Sequence, residues 1–224
     1  MLKTMVFIDW QNFNISCKEY MFHKKMDKVS IDYCKLAKVL NSKVHLDSQV
    51  IKTYLFAVRP CEKLFELESY KKQYDWICSL KNNYHFEVIE GEQVIRPVHG
   101  KEFNINDLTT YTTVEKGTDV NVAVQMLSKG FQNAYDIAIL VSGDTDYIPV
   151  IETLHHLGKT VILATLPQQN IEKYKTLIDQ HINIDKSIIE KSSVKKDKPK
   201  TESIVIKDTT PSDSSDINTD GGIE

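Results

Sequence analysis

Four aspartates occupy positions at which an apolar run ends or an amphipathic stretch begins. They are Asp9, Asp119, Asp144 and Asp146. Asp9 directly follows the apolar run 4–8, and the pair 144/146 comes just after the run 137–141. Asp119 lies in the first turn of the amphipathic stretch 119–129. Because ligands of open parallel sheets bind at the carboxyl ends of the strands, we expect these acids to meet at one edge of a sheet.

Such a group of carboxylates predicts a bound hard cation. Carboxylates that meet without a cation repel one another, which raises their pKa values and costs stability. Mg²⁺ or Mn²⁺ fits best, because Mg²⁺ takes oxygen ligands and needs only one or two protein carboxylates. The group contains no cysteine or histidine, which disfavours zinc. A pair of ions about 3.5 to 4 Å apart could activate water and stabilise the leaving oxygen of a phosphodiester.

Each acid also has a purely structural explanation. Asp144 and Asp146 could form an Asx turn and cap the helix that follows, Asp119 could complement a helix dipole, and Asp9 could cap a helix starting near Gln11. The conjunction favours function, because Asp9 terminates an apolar strand that has no other use for a charge.

Three blocks of sequence resemble one known family. They are Phe-Ile-Asp-Trp-Gln-Asn-Phe at 7–13, Glu-Lys-Gly-Thr-Asp-Val at 115–120, and Leu-Val-Ser-Gly-Asp-Thr-Asp-Tyr-Ile-Pro at 140–149. These blocks are similar to the conserved segments of NYN domains, a group within the PIN-like nuclease superfamily, and to the LabA-like branch in particular. The three blocks occur in the family's order and frame residues 4–166.

The resemblance implies a PIN-like fold and metal-dependent cleavage of RNA, with single-stranded RNA as the expected substrate. Carried over residue by residue, it assigns the Mg²⁺ or Mn²⁺ ions to Asp9, Asp119, Asp144 and Asp146. Asn12 would join the catalytic set by orienting Asp9 or a metal-bound water. Ser142 would hydrogen-bond within the pocket, and Lys116 would contact a substrate phosphate.

One departure from the family concerns the helix that starts near Asp119. Many LabA-like members have an acid where this chain has Gln125. Position 125 lies about 9 Å along the helix from Asp119 and roughly 240° around it, so the two need not bind the same ion. We expect Gln125 to weaken the binding of a second ion.

The surrounding sequence predicts an α/β fold, a three-layer sandwich with a mostly parallel central sheet. Short β-branched runs alternate with longer amphipathic stretches, as in sheets with crossover helices. Strands are predicted at Thr4–Ile8, Val50–Val58, His85–Glu90, Ile137–Val141 and Thr160–Ala164. Helices are predicted near Asp32–Asn41, Lys63–Lys81, Asp119–Lys129, Ile148–Leu157 and Asn170–Gln180. Shorter elements, such as a hairpin, are expected within 91–116.

Composition limits the chain to one catalytic domain with a tail. Of 224 residues, 41% are hydrophobic and 26% charged, which is typical of globular proteins. We expect the domain to cover 1–186 and a disordered, charged tail to cover 187–224. No segment resembles a secretion signal or a membrane span, so a cytoplasmic location without membrane contact is expected.

Three functions remain open on the sequence alone. A metal-dependent endoribonuclease is the first. The second is a regulatory module of weak or no activity that binds RNA or protein, which Gln125 favours. A phosphatase or nucleotide hydrolase that acts on small phosphates is the third, although no Gly-rich phosphate loop is found. The lysine-rich residues 1–80 (13 basic against 9 acidic) could hold RNA, and the tail could bind a protein partner; a homo-oligomer is also open.

Overall fold

The computed structural model describes residues 1–194, which build one seven-stranded sheet. Its strands are β1 (Leu2–Asp9), β2 (Ser48–Pro60), β3 (Phe86–Pro97), β4 (Tyr111–Lys116), β5 (Ile137–Val141), β6 (Thr160–Thr165) and β7 (Gln180–Asn183). They run in the order β4-β3-β2-β1-β5-β6-β7. Only the β3–β4 pair of this sheet is antiparallel, so the predicted mostly parallel sheet and the hairpin within 91–116 are confirmed.

Helices cover both faces of the sheet. They are α1 (Trp10–His23), α2 (Tyr33–Asn41), α3 (Glu68–Leu80), α4 (Thr118–Phe131), α5 (Ile148–His156) and α6 (Lys186–Lys191). Buried side chains of α1, α2, α3 and α6 pack on one face, and those of α4 and α5 pack on the other. This arrangement confirms the predicted three-layer α/β fold.

The central strand β1 explains why both faces need helices. Val6 and Ile8 belong to the core under α1, whereas Met5 and Phe7 belong to the core under α4 and α5. Successive side chains of a strand point to opposite faces, so a continuous apolar run is stable only when both faces are covered.

The order of the strands places a crevice beside β1. From β1 the chain leads to β2 on one side, and the strand on the other side of β1 is β5. This reversal of strand order separates the loops that follow β1 and β5. Ligands of open α/β sheets bind at such a point, and Asp9 and Ser142 stand at the ends of these two strands.

The helix predicted near Asn170–Gln180 is wrong. The structure has a short 3₁₀ helix, Glu172–Tyr174, and then the edge strand β7, which pairs with β6. The Asn170 side chain accepts a hydrogen bond from the backbone of Glu172, which favours a tight turn over a helix. Tyr174 is fully buried, so packing and strand pairing override the local preference of this segment.

Two other boundaries differ from prediction. The stretch 63–81 is divided into a 3₁₀ helix, Glu62–Glu66, and α3, because Leu67 has an extended backbone. Helix α6, which begins at Lys186, extends the fold into the predicted tail, and Ser193 forms a β-bridge with Ile31. The rest of the predicted tail, 195–224, lies outside the described residues.

None of the helices between residues 1 and 194 has both the length and the hydropathy that crossing a membrane would require.

Candidate active site

Asp9 is the buried centre of the candidate site. It ends β1 and caps α1, where its Oδ1 accepts a hydrogen bond from the Asn12 backbone N–H at 3.1 Å. Its Oδ2 accepts bonds from the hydroxyls of Ser142 at 3.1 Å and Tyr147 at 3.2 Å. These three hydrogen bonds hold an aspartate that is only 5% exposed.

Tyr147 connects Asp9 to Asp119. Its hydroxyl also hydrogen-bonds to Asp119 Oδ1 at 2.9 Å, so the two carboxylates lie no more than two hydrogen bonds apart. A hydroxyl carries one hydrogen, which two ionised carboxylates would have to share. The site therefore has more acceptors than donors between β1 and α4.

Asn12 fixes the loop that follows β5. Its Oδ1 accepts hydrogen bonds from the Gly143 backbone at 3.0 Å and from Gln169 Nε2 at 2.8 Å. The Gln169 Oε1 in turn accepts a bond from the Leu166 backbone after β6. One turn of α1 thus joins the loops at the ends of three neighbouring strands.

Asp144 and Asp146 occupy different positions in spite of their spacing. Asp144 lies at the site, where its backbone N–H donates to Ser142 Oγ and its carbonyl accepts from the Tyr174 hydroxyl. Its Oδ1 caps the following turn by accepting from the Asp146 backbone at 3.0 Å. Asp146 itself is exposed.

The hairpin β3–β4 delivers Asp119 to the same edge of the sheet. Strand β3 extends beyond the level of Asp9, and β4 returns until Lys116 pairs with Glu92. Gly117 then turns the chain into α4 with φ 83°, a conformation that favours glycine. An antiparallel strand can therefore start a helix at the carboxyl edge of a parallel sheet.

These residues surround an open pocket of about 270 Å³. We call it the acid pocket. It is lined by Asp9, Gln11, Asn12, Ile15, Glu115, Gly117, Thr118, Asp119 and Asp144. Ser142 lies behind Asp9, with 2% exposure, and Lys116 and Asp146 are exposed residues outside the lining. Gln125 is half-buried and is not part of the lining.

Comparison with known proteins identifies the family. The sequence model of the NYN domain family matches residues 3–185, which is most of the chain. The chain belongs to the NYN domain family. NYN domains are PIN-like and generally ribonucleases, so membership supports a nuclease or RNA-related role.

A solved structure has a similar fold. A crystal structure of a protein of unknown function from Vibrio parahaemolyticus is similar to this chain, with a TM-score of 0.53 and 18% identity. The similarity covers 83% of this chain and 94% of that one. No curated protein matches the chain at a significant level.

Glu115 is an acid of this NYN domain that sequence reasoning missed as a site residue. It lies in β4 beside the Lys-Gly pair, and its carboxylate joins the lining of the acid pocket. The signal available in the sequence was its place within the block 115–120. The sequence did not show that Glu115 reaches the site, because the carboxyl end of an antiparallel strand is not expected at the edge where the parallel strands end.

Burial and nearby negative charge make two acids of the NYN site, Asp9 and Glu115, costly to ionise. Burial, and then the charge of Asp119, raise the pKa of Asp9 above its usual value, although three hydrogen bonds oppose them. Burial, followed by the charges of Asp9 and Asp119, raises the pKa of Glu115. Burial and the same two charges raise the pKa of Tyr147, which stays a hydrogen-bond donor at neutral pH.

The donor set fits a hard divalent cation. Within residues 1–194, no three carboxylate, imidazole or thiol groups are arranged as ligands of one metal ion. Mg²⁺ needs fewer, because it keeps several waters and binds through one or two carboxylates and substrate phosphate. The acid pocket offers four carboxylates, whose repulsion a cation would relieve.

Proposed function

We propose that this NYN domain is a metal-dependent endoribonuclease of the LabA-like branch that hydrolyses phosphodiester bonds of single-stranded RNA. The observation that carries the proposal is the hydrogen-bonded connection from Asp9 through Tyr147 to Asp119 at the crevice between β1 and β5. A purely structural aspartate at a helix cap would not need a second carboxylate on the same hydroxyl. A cytoplasmic location stays a prediction of the sequence.

The acids of the pocket are assigned to metal binding. Asp9, Asp119 and Asp144 would hold Mg²⁺ or Mn²⁺, with the exposed Asp146 as a further candidate. When bound, the cation would lower the pKa of water and stabilise the oxygen that leaves phosphorus. Glu115 adds negative charge to the same lining.

The neighbouring polar side chains are assigned to positioning. Ser142 and Tyr147 orient Asp9 through its Oδ2, and Asn12 holds the loop of Gly143 against α1. Partners that orient the ligands of a metal are worth roughly 10- to 100-fold in affinity or activity. Lys116, exposed beside the pocket, is proposed to contact a phosphate of the RNA.

Cleavage of a labelled single-stranded RNA tests the proposal. The full chain should cut it with Mg²⁺ or Mn²⁺ and stop when EDTA is added. Asp144→Asn should abolish cleavage, whereas Asp27→Asn, the same change at an exposed aspartate outside the pocket lining, should cut at the normal rate. Equal rates for the two variants would mean that the acid pocket is not the nuclease site.

A second candidate is a regulatory module that binds RNA or a protein but turns over slowly or not at all. Gln125 favours it, because it replaces a charge that many relatives carry. Measured affinity for RNA without product after long incubation in Mn²⁺ would select this function. The tail is then the proposed contact for a protein partner, and sedimentation would reveal a homo-oligomer.

A further inference from the structure

A second pocket lies directly beside the acid pocket, between α1, α3 and β3. Its volume is about 360 Å³, and its lining includes Trp10, Asn14, Tyr70, Gln73 and Gln93. We call it the amide pocket. Gln11 and Ile15 line both pockets, so the two are continuous along α1.

The chemistry of the amide pocket differs from that of a phosphate site. None of its lining residues is charged; four of them carry side-chain amides and two are aromatic. An amide presents a donor and an acceptor together, which matches the edge of a nucleobase. An aromatic ring offers a surface on which a base stacks.

Two buried polar atoms of the residues that line this pocket have no hydrogen-bond partner among the described residues, the donor Trp10 Nε1 and the acceptor Gln93 Oε1. A buried acceptor without a donor costs about 1–3 kcal/mol, so such an atom needs an explanation. A ligand that donates an N–H group would supply the missing bond.

The register of the hairpin ties Gln93 to the acid pocket. Gln93 of β3 pairs directly with Glu115 of β4. Residues directly opposite each other in an antiparallel pair have neighbouring side chains on the same face. The unsatisfied amide therefore stands next to a carboxylate of the acid pocket.

We propose that the amide pocket binds one nucleobase of the RNA strand, next to the phosphate held at the acid pocket, and thereby gives the enzyme a base preference. The proposal rests on the proposed function for the nature of the polymer. Gln93 and Gln73 read the edge of the base, and Tyr70 provides the stacking surface. Trp10, which is 5% exposed, forms the floor.

Binding and cleavage of short homopolymeric oligonucleotides of A, C and U test the proposal separately from the nuclease activity. Fluorescence anisotropy in EDTA and in Mg²⁺ should show one preferred base, and Gln93→Met should reduce affinity for that oligomer about tenfold and leave the others unchanged. Gln73→Met, at a half-buried position of α3, should reduce the affinity for the same oligomer. It tests the proposal if Gln93→Met fails to fold. Gln132→Met, the same change at an exposed site outside both pockets, should keep the preference.

Each other outcome has a definite meaning. A base preference that survives in both pocket variants overturns the inference and leaves the nuclease intact. Base-selective binding without RNA cleavage by the wild type overturns the proposed function alone. The inference is also overturned if no oligonucleotide binds, or if a free mononucleotide binds as tightly as the oligomers.

Discussion

The acid pocket and the amide pocket are neighbours along α1, but only the acid pocket is lined by charged side chains. The first has four carboxylates, two of them with raised pKa values, and the second has uncharged amides and aromatic rings. Each pocket has a feature that a ligand could stabilise: excess negative charge in the acid pocket and an unpaired buried acceptor in the amide pocket. The difference matches the two proposals, in which the acid pocket acts on a phosphate and the amide pocket binds a base.

Asp9→Asn should have an effect as large as that of Asp144→Asn, larger than the changes below, and should affect only the acid pocket. RNA cleavage should fall by more than about 100-fold, since loss of a metal ligand exceeds the effect of its orienting partners. The melting temperature in EDTA should not fall, because the change removes a buried charge while the Ser142 and Tyr147 hydroxyls can accept from the new amide. Base selectivity in the anisotropy assay should persist; its loss would contradict the separation of the two pockets.

Tyr147→Phe should reduce activity by roughly 10- to 100-fold and raise the Mg²⁺ concentration needed for half-maximal cleavage. The ring stays packed, but Asp9 and Asp119 lose their shared donor. Tyr135→Phe is the matched control, because this buried tyrosine donates at 2.8 Å to the Met126 carbonyl in the same core, away from the acids. If both variants show the same Mg²⁺ requirement, Tyr147 has only a structural role.

Gln125→Asp should have a smaller effect, on the order of a severalfold decrease in the Mg²⁺ concentration for half-maximal cleavage. The added charge lies on α4 but outside the lining of the acid pocket, so it acts on a second ion or through space. A magnesium titration of cleavage measures the effect. Identical curves for this variant and the wild type would show that position 125 is not coupled to metal binding.

The smallest expected effect is a pH dependence of stability. Asp9 and Glu115 have raised pKa values in the folded state, so the folded protein binds protons more readily than the unfolded chain. Without metal, their ionisation costs stability as the pH rises through those raised values. The gain in melting temperature that Mg²⁺ gives over EDTA should therefore shrink as the pH falls through those raised pKa values, by on the order of 2–4 °C. Calorimetric scans would contradict this if the gain stayed constant.

Much of the fold and part of the site were predictable from local pattern. The five predicted strands and four of the five predicted helices correspond to elements of the structure. The run 4–8 followed by an acid and the run 137–141 followed by Ser-Gly-Asp placed Asp9 and Asp144 at one edge. The prediction succeeds because the carboxyl ends of parallel strands lie at the same edge of the sheet, whatever the order of the strands.

Other features depended on contacts between distant parts of the chain. In place of the predicted helix at 170–180, the chain forms a short 3₁₀ helix and turn that bury Tyr174, and then strand β7, which pairs with the edge of β6. Glu115 reaches the site only because β3 extends beyond the end of β2 and β4 runs back antiparallel beside it. The hydrophobic periodicity of a single segment does not predict how far its strand extends past the neighbouring strands.

The sequence by itself determined the alternation of strands and helices, the family and the carboxylates at two strand ends, since these are carried by residue type and local spacing. Tertiary structure alone decided that Tyr147 joins Asp9 to Asp119, that the exposed Asp146 lies outside the pocket lining, and that an uncharged pocket opens beside a charged one. The physical reason is that a hydrogen bond or a cavity depends on where side chains of separate elements meet, which packing sets.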